Sequence, residues 1–178
     1  MNTCSLKPNT VNVICETERL VVRQFELNDA DFIIELLNQE SFIRFIGDKQ
    51  VRSIKDAEYY LKNGPLASYT QYGFGLNLVS LKESGTPIGM CGILKRDELD
   101  EPDLGYAFLP EYWGKGLAKE ASIEVLNQEM ARHNLETVLA ITLPDNLGSN
   151  ALLKSLGFRY SGVFEIYNSD NNLYRFGK

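Results

Sequence analysis

The stretch that most constrains this chain is Asp103 to Ala121, DLGYAFLPEYWGKGLAKEA. Asp103 to Leu109 reads as a strand. It runs into a turn of small residues, and the turn opens a long helix in which Ala118, Ala121, Ile123, Val125, Leu126 and Met130 lead to about Asn134. Thr137-Val138-Leu139-Ala140-Ile141 then reads as a buried strand. A strand–helix–strand crossover of this length makes the two strands parallel or nearly so. Any fold for the chain has to hold that parallel pair.

The remaining elements are mostly antiparallel. Leu20 to Phe25 is a β-branched, apolar strand, and Asn28 to Asp31 offers an N-cap before Phe32, Ile33, Leu36 and Leu37 at helical spacing. A short helix starts at Ser53, with Ala57, Tyr60 and Leu61 on one face. Phe74–Leu81 and Ile88–Leu94 form a hairpin about the turn residues Glu83 to Pro87. Ser149 to Leu156 is a helix stopped by Gly157, and Phe158–Val163 and Glu165–Phe176 are two antiparallel strands. The predicted class is α+β: a mixed, mostly antiparallel twisted sheet of about seven strands flanked by about four helices. Residues 1–178 are expected to form a single domain, with 1–15 as a poorly specified leader.

Bulk properties narrow the function. A chain of 178 residues, 44% hydrophobic and 24% charged, is globular in composition. Its net charge of −6, without a basic run, argues against a nucleic-acid partner. Cys4, Cys15 and Cys91 make no CxxC pair, which suits a reducing compartment. Met1 to Cys15 lacks the charged and apolar regions of a signal peptide, and no apolar run approaches the ~20 residues that span a bilayer. A cytoplasmic protein without a membrane partner is expected. With one histidine and scattered thiols, no metal-ligand cluster can be drawn.

Gly114, Gly116 and Ala118 leave main-chain amides uncovered at the start of a helix, where first-turn N–H groups have no intrahelical partner. With the helix dipole they suit a phosphate or pyrophosphate. A Walker A loop would need Ser or Thr after Gly-Lys, but Gly116 and Leu117 follow. A dinucleotide fingerprint would want glycine where Lys119 stands, and an acidic residue at the end of the next strand, whereas Glu136 stands at its start. On spacing alone, a phosphate site and a plain tight turn both remain open.

About thirty residues on, Pro144-Asp145-Asn146-Leu147-Gly148-Ser149 leads to Leu156-Gly157-Phe158. Together with Tyr112-Trp113-Gly114-Lys115-Gly116 and the opening Glu18-Arg19-Leu20-Val21-Val22-Arg23, this resembles the GCN5-related N-acetyltransferases, in the branch of the ribosomal-protein alanine and serine acetyltransferases. The resemblance covers roughly residues 16–176. It implies acetyl-CoA as cosubstrate, no metal, and a splayed parallel strand pair that holds CoA. The amides of Gly114, Lys115, Gly116, Leu117 and Ala118 would bind the pyrophosphate. A main-chain N–H at Ala107 or Phe108 would polarise the thioester carbonyl. Asn146 and Ser149 would contact CoA.

The resemblance also implies proton-handling roles: Asp103 as general base and Ser149 as proton donor to the thiolate. Each has a plainer reading, Asp103 as a solvated carboxylate at a strand start and Ser149 as the cap of its helix. Two departures bear on this. The tyrosine that many relatives carry four residues before the glycine of Leu-Gly-Phe is Leu153 here, and the branch's Glu is Asp103. The acceptor is an amine, either a protein N-terminus or a small molecule, and the protein a monomer or homodimer. A non-catalytic acyl-CoA-binding module is the alternative.

Overall fold

The structure, a computed structural model, describes residues 11–178. Eight strands make one sheet: β1 (Val13–Glu16), β2 (Leu20–Gln24), β3 (Leu76–Leu81), β4 (Pro87–Leu94), β5 (Asp103–Phe108), β6 (Thr137–Thr142), β7 (Arg159–Ile166) and β8 (Ser169–Gly177). They lie in the order β1-β2-β3-β4-β5-β6-β8-β7, antiparallel throughout except for β5 and β6. The mixed sheet is as expected, with one strand more. β1 overlaps the end of the stretch expected to be a leader and runs one residue past it; Ile14 and Cys15 are buried against the core and the strand pairs with β2. Residues 1–10, including Cys4, lie outside the described part.

Six α-helices flank the sheet: α1 (Ala30–Leu37), α2 (Glu40–Phe45), α3 (Ile54–Leu61), α4 (Ala67–Tyr72), α5 (Leu117–His133) and α6 (Leu147–Ser155). α3 starts where its cap predicts, with Ser53 and Asp56 making a reciprocal capping box. It does not stop at Gly64-Pro65. A π-helical turn over Lys62–Leu66 takes Pro65 into the helix and carries the chain into α4.

Two cores follow from the period-two alternation of the strands. Leu104, Tyr106 and Phe108 of β5 pack on the face covered by α5 and α6. Ala107 packs on the opposite face with α1, α2 and α3, and a Cβ on Gly105 would meet Leu94 and Leu76 there. By the same alternation Asp103 belongs to that second face.

The parallel pair supplies the central gap. β5 and β6 share one ladder position, Asp103 opposite Leu139, with Leu139 N–H donating to the Pro102 carbonyl at 2.8 Å. Past that point β5 stays paired only to β4, through Phe108, and β6 only to β8, with which it pairs along its whole length. A wedge opens between Tyr106–Phe108 on one side and Ile141–Thr142 on the other.

Candidate active site

The turn at the mouth of the wedge is held open by backbone geometry. Gly114 and Gly116 have φ of 70° and 76°, the left-handed region that side chains disfavour. Gly116 is the N-cap of α5 and brings no side chain to fill the space. The first helical hydrogen bond runs from Glu120 N–H to the Gly116 carbonyl at 3.0 Å. The amides of residues 114–119 accordingly donate to no acceptor among the described residues. They form a row of donors at the positive end of a 17-residue helix.

Arg19 fixes this turn from across the sheet. Its Nη1 donates to the Lys115 carbonyl at 2.9 Å and its Nε to Glu120 Oε2 at 2.7 Å. Glu120 Oε1 in turn accepts from Thr17 Oγ1 and the Arg19 amide. These bonds hold the Glu120 carboxyl below its ordinary range despite partial burial. Arg19 was visible in the sequence only as part of a motif; the structure gives it this function. Lys115 does not line the cavity. Its ammonium sits 5.4 Å from the centre of the Tyr112 ring. Trp113, half-exposed, donates from Nε1 to the Phe108 carbonyl at 2.9 Å and so braces the turn against the end of β5.

The wedge is a cavity of about 650 Å³. Its walls include Gly114, Gly116, Leu117 and Ala118 of the turn, Asp103 to Phe108 of β5, and Asn146, Ser149 and Leu153. Leu109 N–H donates to Ile88 of β4, so alternation turns the Ala107 amide to β4 as well. The amides of Tyr106 and Phe108 then face the wedge. Of the two positions expected to supply a main-chain donor, Phe108 is the one so turned.

Helix α6 brings its first turn to the same wall. It begins at Leu147, two residues earlier than expected, and its cap is Asn146, whose Oδ1 accepts from Ser149 N–H at 3.2 Å. Asn150, buried, anchors the helix through the Leu143 and Asn146 carbonyls, and accepts from Tyr174 and Asn172 of β8. Ser149 is therefore not the cap, and its hydroxyl is free for another partner. That partner is Tyr106, whose hydroxyl lies 2.8 Å from Ser149 Oγ. Burial raises the Tyr106 phenol well above its ordinary value and keeps it protonated. Leu153 is buried in the core and lines the same cavity.

Asp103 lies on the other face of β5. Its carboxylate is 1% exposed, and the Arg96 Nε is 3.0 Å from both oxygens. Burial raises the Asp103 carboxyl above the ordinary value and outweighs the opposing pull of Arg96. The plainer reading of Asp103, a solvated carboxylate, does not hold. Asp103 and Ser149 are thus not in contact but line one cavity from opposite faces of one strand. His133 lies elsewhere, edge-on to Phe74 and 3.5 Å from the buried Glu129 carboxylate. Burial pushes the Cys15 and Cys91 thiols up to about 12, so both stay protonated.

The model of the acetyltransferase (GNAT) domain matches residues 19–159. The chain belongs to the GNAT acetyltransferase family. Like that family it is an acetyl-CoA-dependent acetyltransferase, and the open row of amides is chemically suited to the CoA pyrophosphate. A relative, the uncharacterized N-acetyltransferase YoaA of Bacillus subtilis, is 28% identical over 160 residues, 89% of each chain. An acetyltransferase structure from Agrobacterium tumefaciens superposes with a TM-score of 0.80 at 21% identity, covering 95% of this chain and 96% of that one. The ribosomal-protein-S5-alanine acetyltransferase of Vibrio fischeri gives 0.76 at 22%, covering 92% and 95%. At these identities the two structures share the GNAT fold with this chain. No helix of the described residues is long and apolar enough to cross a membrane.

Proposed function

We propose that the chain moves the acetyl group of acetyl-CoA to a primary amine, with the thioester lying in the wedge between β5 and β6. The amides of residues 114–119 hold the pyrophosphate, and the Phe108 N–H faces the thioester carbonyl. The amine enters from the Asp103 face and the sulfur departs on the Ser149 face. The amine nitrogen bonds to the carbonyl carbon, the C–S bond breaks, and its electron pair leaves on sulfur. The amine's proton passes to Asp103, directly or through water. The Ser149 hydroxyl, held by its hydrogen bond with Tyr106, gives its proton to the sulfur and regains one from water.

One observation carries this reading: the alternation of β5 sets a buried carboxylate and a hydroxyl pair on opposite sides of one gap. An acid and a base kept apart in this way do not neutralise each other, yet both reach a reactant held between them. The acceptor is either a protein N-terminus or a small-molecule amine. Release of free CoA with a panel of amines tests transfer, and mass analysis of an acetylated cell extract separates the two acceptor classes. An enzyme that binds acetyl-CoA but releases CoA with no amine contradicts the proposal.

A further inference from the structure

The half of the cavity beyond Asp103 has its own chemistry. Phe42 and Phe45 of α2, Tyr60 of α3 and Tyr167 of the β7–β8 turn give it aromatic walls. Its charged lining side chains are three: Lys49, Arg96 and Asp103. Arg96 and Asp103 are paired. Lys49, in the loop between α2 and α3, makes no ion pair or hydrogen bond among the described residues. Its side chain is exposed at the rim of the cavity, where partial desolvation and then the nearby Arg96 charge lower its ammonium from the ordinary value. The charges that line the cavity thus sum to +1, with Glu98 acting on Asp103 from outside the lining, in a chain whose net charge is −6. For an enzyme whose second substrate is an amine, that sign is unexpected, since an ammonium would be repelled.

Tyr167 adds a second observation. It sits at the tip of the hairpin with φ of 55°, beside Asn168 at 60°, a conformation that aromatic residues rarely adopt. From there its hydroxyl lies 3.4 Å from Arg96 Nη1, so a strained turn sets a further polar group beside the guanidinium. Arg96 is thereby held by Asp103 through Nε and by Tyr167 through Nη1, with its fork fixed at the cavity wall.

We infer that this end of the cavity is an anion subsite, and that the acceptor is a primary amine carrying a carboxylate or phosphate close to its amino group. Lys49 and Arg96 bind the anion, and the aromatic walls take the apolar part of the acceptor. The anion offsets the surplus positive charge that otherwise stands unpaired. The unpaired Lys49 charge disfavours an ammonium in the cavity, which promotes the neutral amine that attacks the thioester. This inference rests on the acetyl-transfer reading above and narrows its acceptor.

The test pairs acceptors that differ in the anion: phenylalanine with phenylalaninamide, phosphoethanolamine with ethanolamine, and a peptide of acidic second residue with its neutral amide. CoA release gives kcat/KM for each. Members of a pair differ in basicity, so the quantity read is the change in their ratio between the parent enzyme and Lys49→Ala or Lys49→Glu. Loss of one charge-assisted hydrogen bond predicts a fall of about tenfold or more in the anionic-to-neutral ratio for Lys49→Ala, carried by KM, and a further fall for Lys49→Glu. Which pair responds tells carboxylate from phosphate, and free amino acid from peptide. If neutral members are acetylated and the ratio is the same in all three proteins, the anion subsite is wrong. If no amine of any pair releases CoA, acetyl transfer itself fails and the subsite falls with it.

Discussion

The Tyr106 hydroxyl and Ser149 Oγ, 43 residues apart in sequence, lie 2.8 Å from one another across the wall of the wedge. Tyr106 belongs to β5 and Ser149 to the first turn of α6. Because Asn146 caps that helix, the serine hydroxyl is spared a structural duty. The pair puts a phenol on the wall of the cavity that Leu153 also lines.

Replacing either member should slow turnover modestly. A thiol has a reference pKa of ~8.5, so a departing thiolate needs less help than an alkoxide. Ser149→Ala is expected to lower kcat about tenfold, below the usual ~10²–10⁴ for acid–base groups. Tyr106→Phe should cost a similar factor, and the double variant little more than either alone, because the two act as one unit. Steady-state rates at saturating acetyl-CoA check this. Multiplying effects in the double variant would mean that the two hydroxyls act separately.

At the turn, Gly116→Val places a β-branched residue at φ of 76°. The left-handed conformation costs a non-glycine residue roughly 1–2 kcal/mol, and a Cβ there would stand 3.5 Å from Arg19 Nη2, in the brace that holds the turn. Acetyl-CoA affinity should fall by more than the loss of stability accounts for. Calorimetric titration beside thermal unfolding separates the two. A folded variant that binds acetyl-CoA as tightly as the parent would exclude the turn as the pyrophosphate site.

Arg19→Ala tests the brace behind that turn. Its salt bridge to Glu120 is half-exposed on the arginine side, so the stability cost should stay within about 1 kcal/mol. The Lys115 carbonyl would lose its donor, and the KM for acetyl-CoA should rise several-fold with kcat nearly unchanged. An unaltered KM would reduce Arg19 to surface decoration.

Much of this was readable in the sequence, and the parts that were not share a cause. The crossover from Asp103 to Ile141 declared itself because a period-two run, a glycine turn and a long apolar helix each leave a local signature. The Ser53 cap and the Gly157 stop were legible for the same reason, and Gly157 indeed has φ of 93°. β1 is four residues long and gains its stability from pairing with β2, which no local pattern reports. The continuation of α3 through Pro65 needs a π turn that propensity argues against. At the site, the Gly-x-Gly turn was plain, but the Tyr106–Ser149 and Arg96–Asp103 pairs depend on which way β5 alternates. No local pattern separates Tyr106 from a core aromatic or Arg96 from a loop cation; the strand's alternation gives each its partner. Lys49 had no signal at all, since its significance is the absence of a partner.

The titration of Asp103 gives a direction in pH. Its carboxyl is raised by burial, and the working form of a base is the ionised one. Activity should therefore be lost as pH falls through a value above the ordinary carboxyl pKa of ~3.9. The acid limb of kcat/KM should sit at that raised position in the parent enzyme and be absent in Asp103→Asn. Glu101→Gln, a nearby carboxylate, is the control and should keep the limb.

The most direct test of the two-faced arrangement compares turnover at saturating acetyl-CoA in Asp103→Asn and Ser149→Ala, with folding and cofactor affinity measured for both. The account predicts a fall of ~10² or more for Asp103→Asn, against about tenfold for Ser149→Ala, because the amine cannot attack while protonated whereas the thiolate can leave unaided. A larger loss in Ser149→Ala than in Asp103→Asn would contradict it, and would make the hydroxyl pair, not the carboxylate, the main proton-handling group.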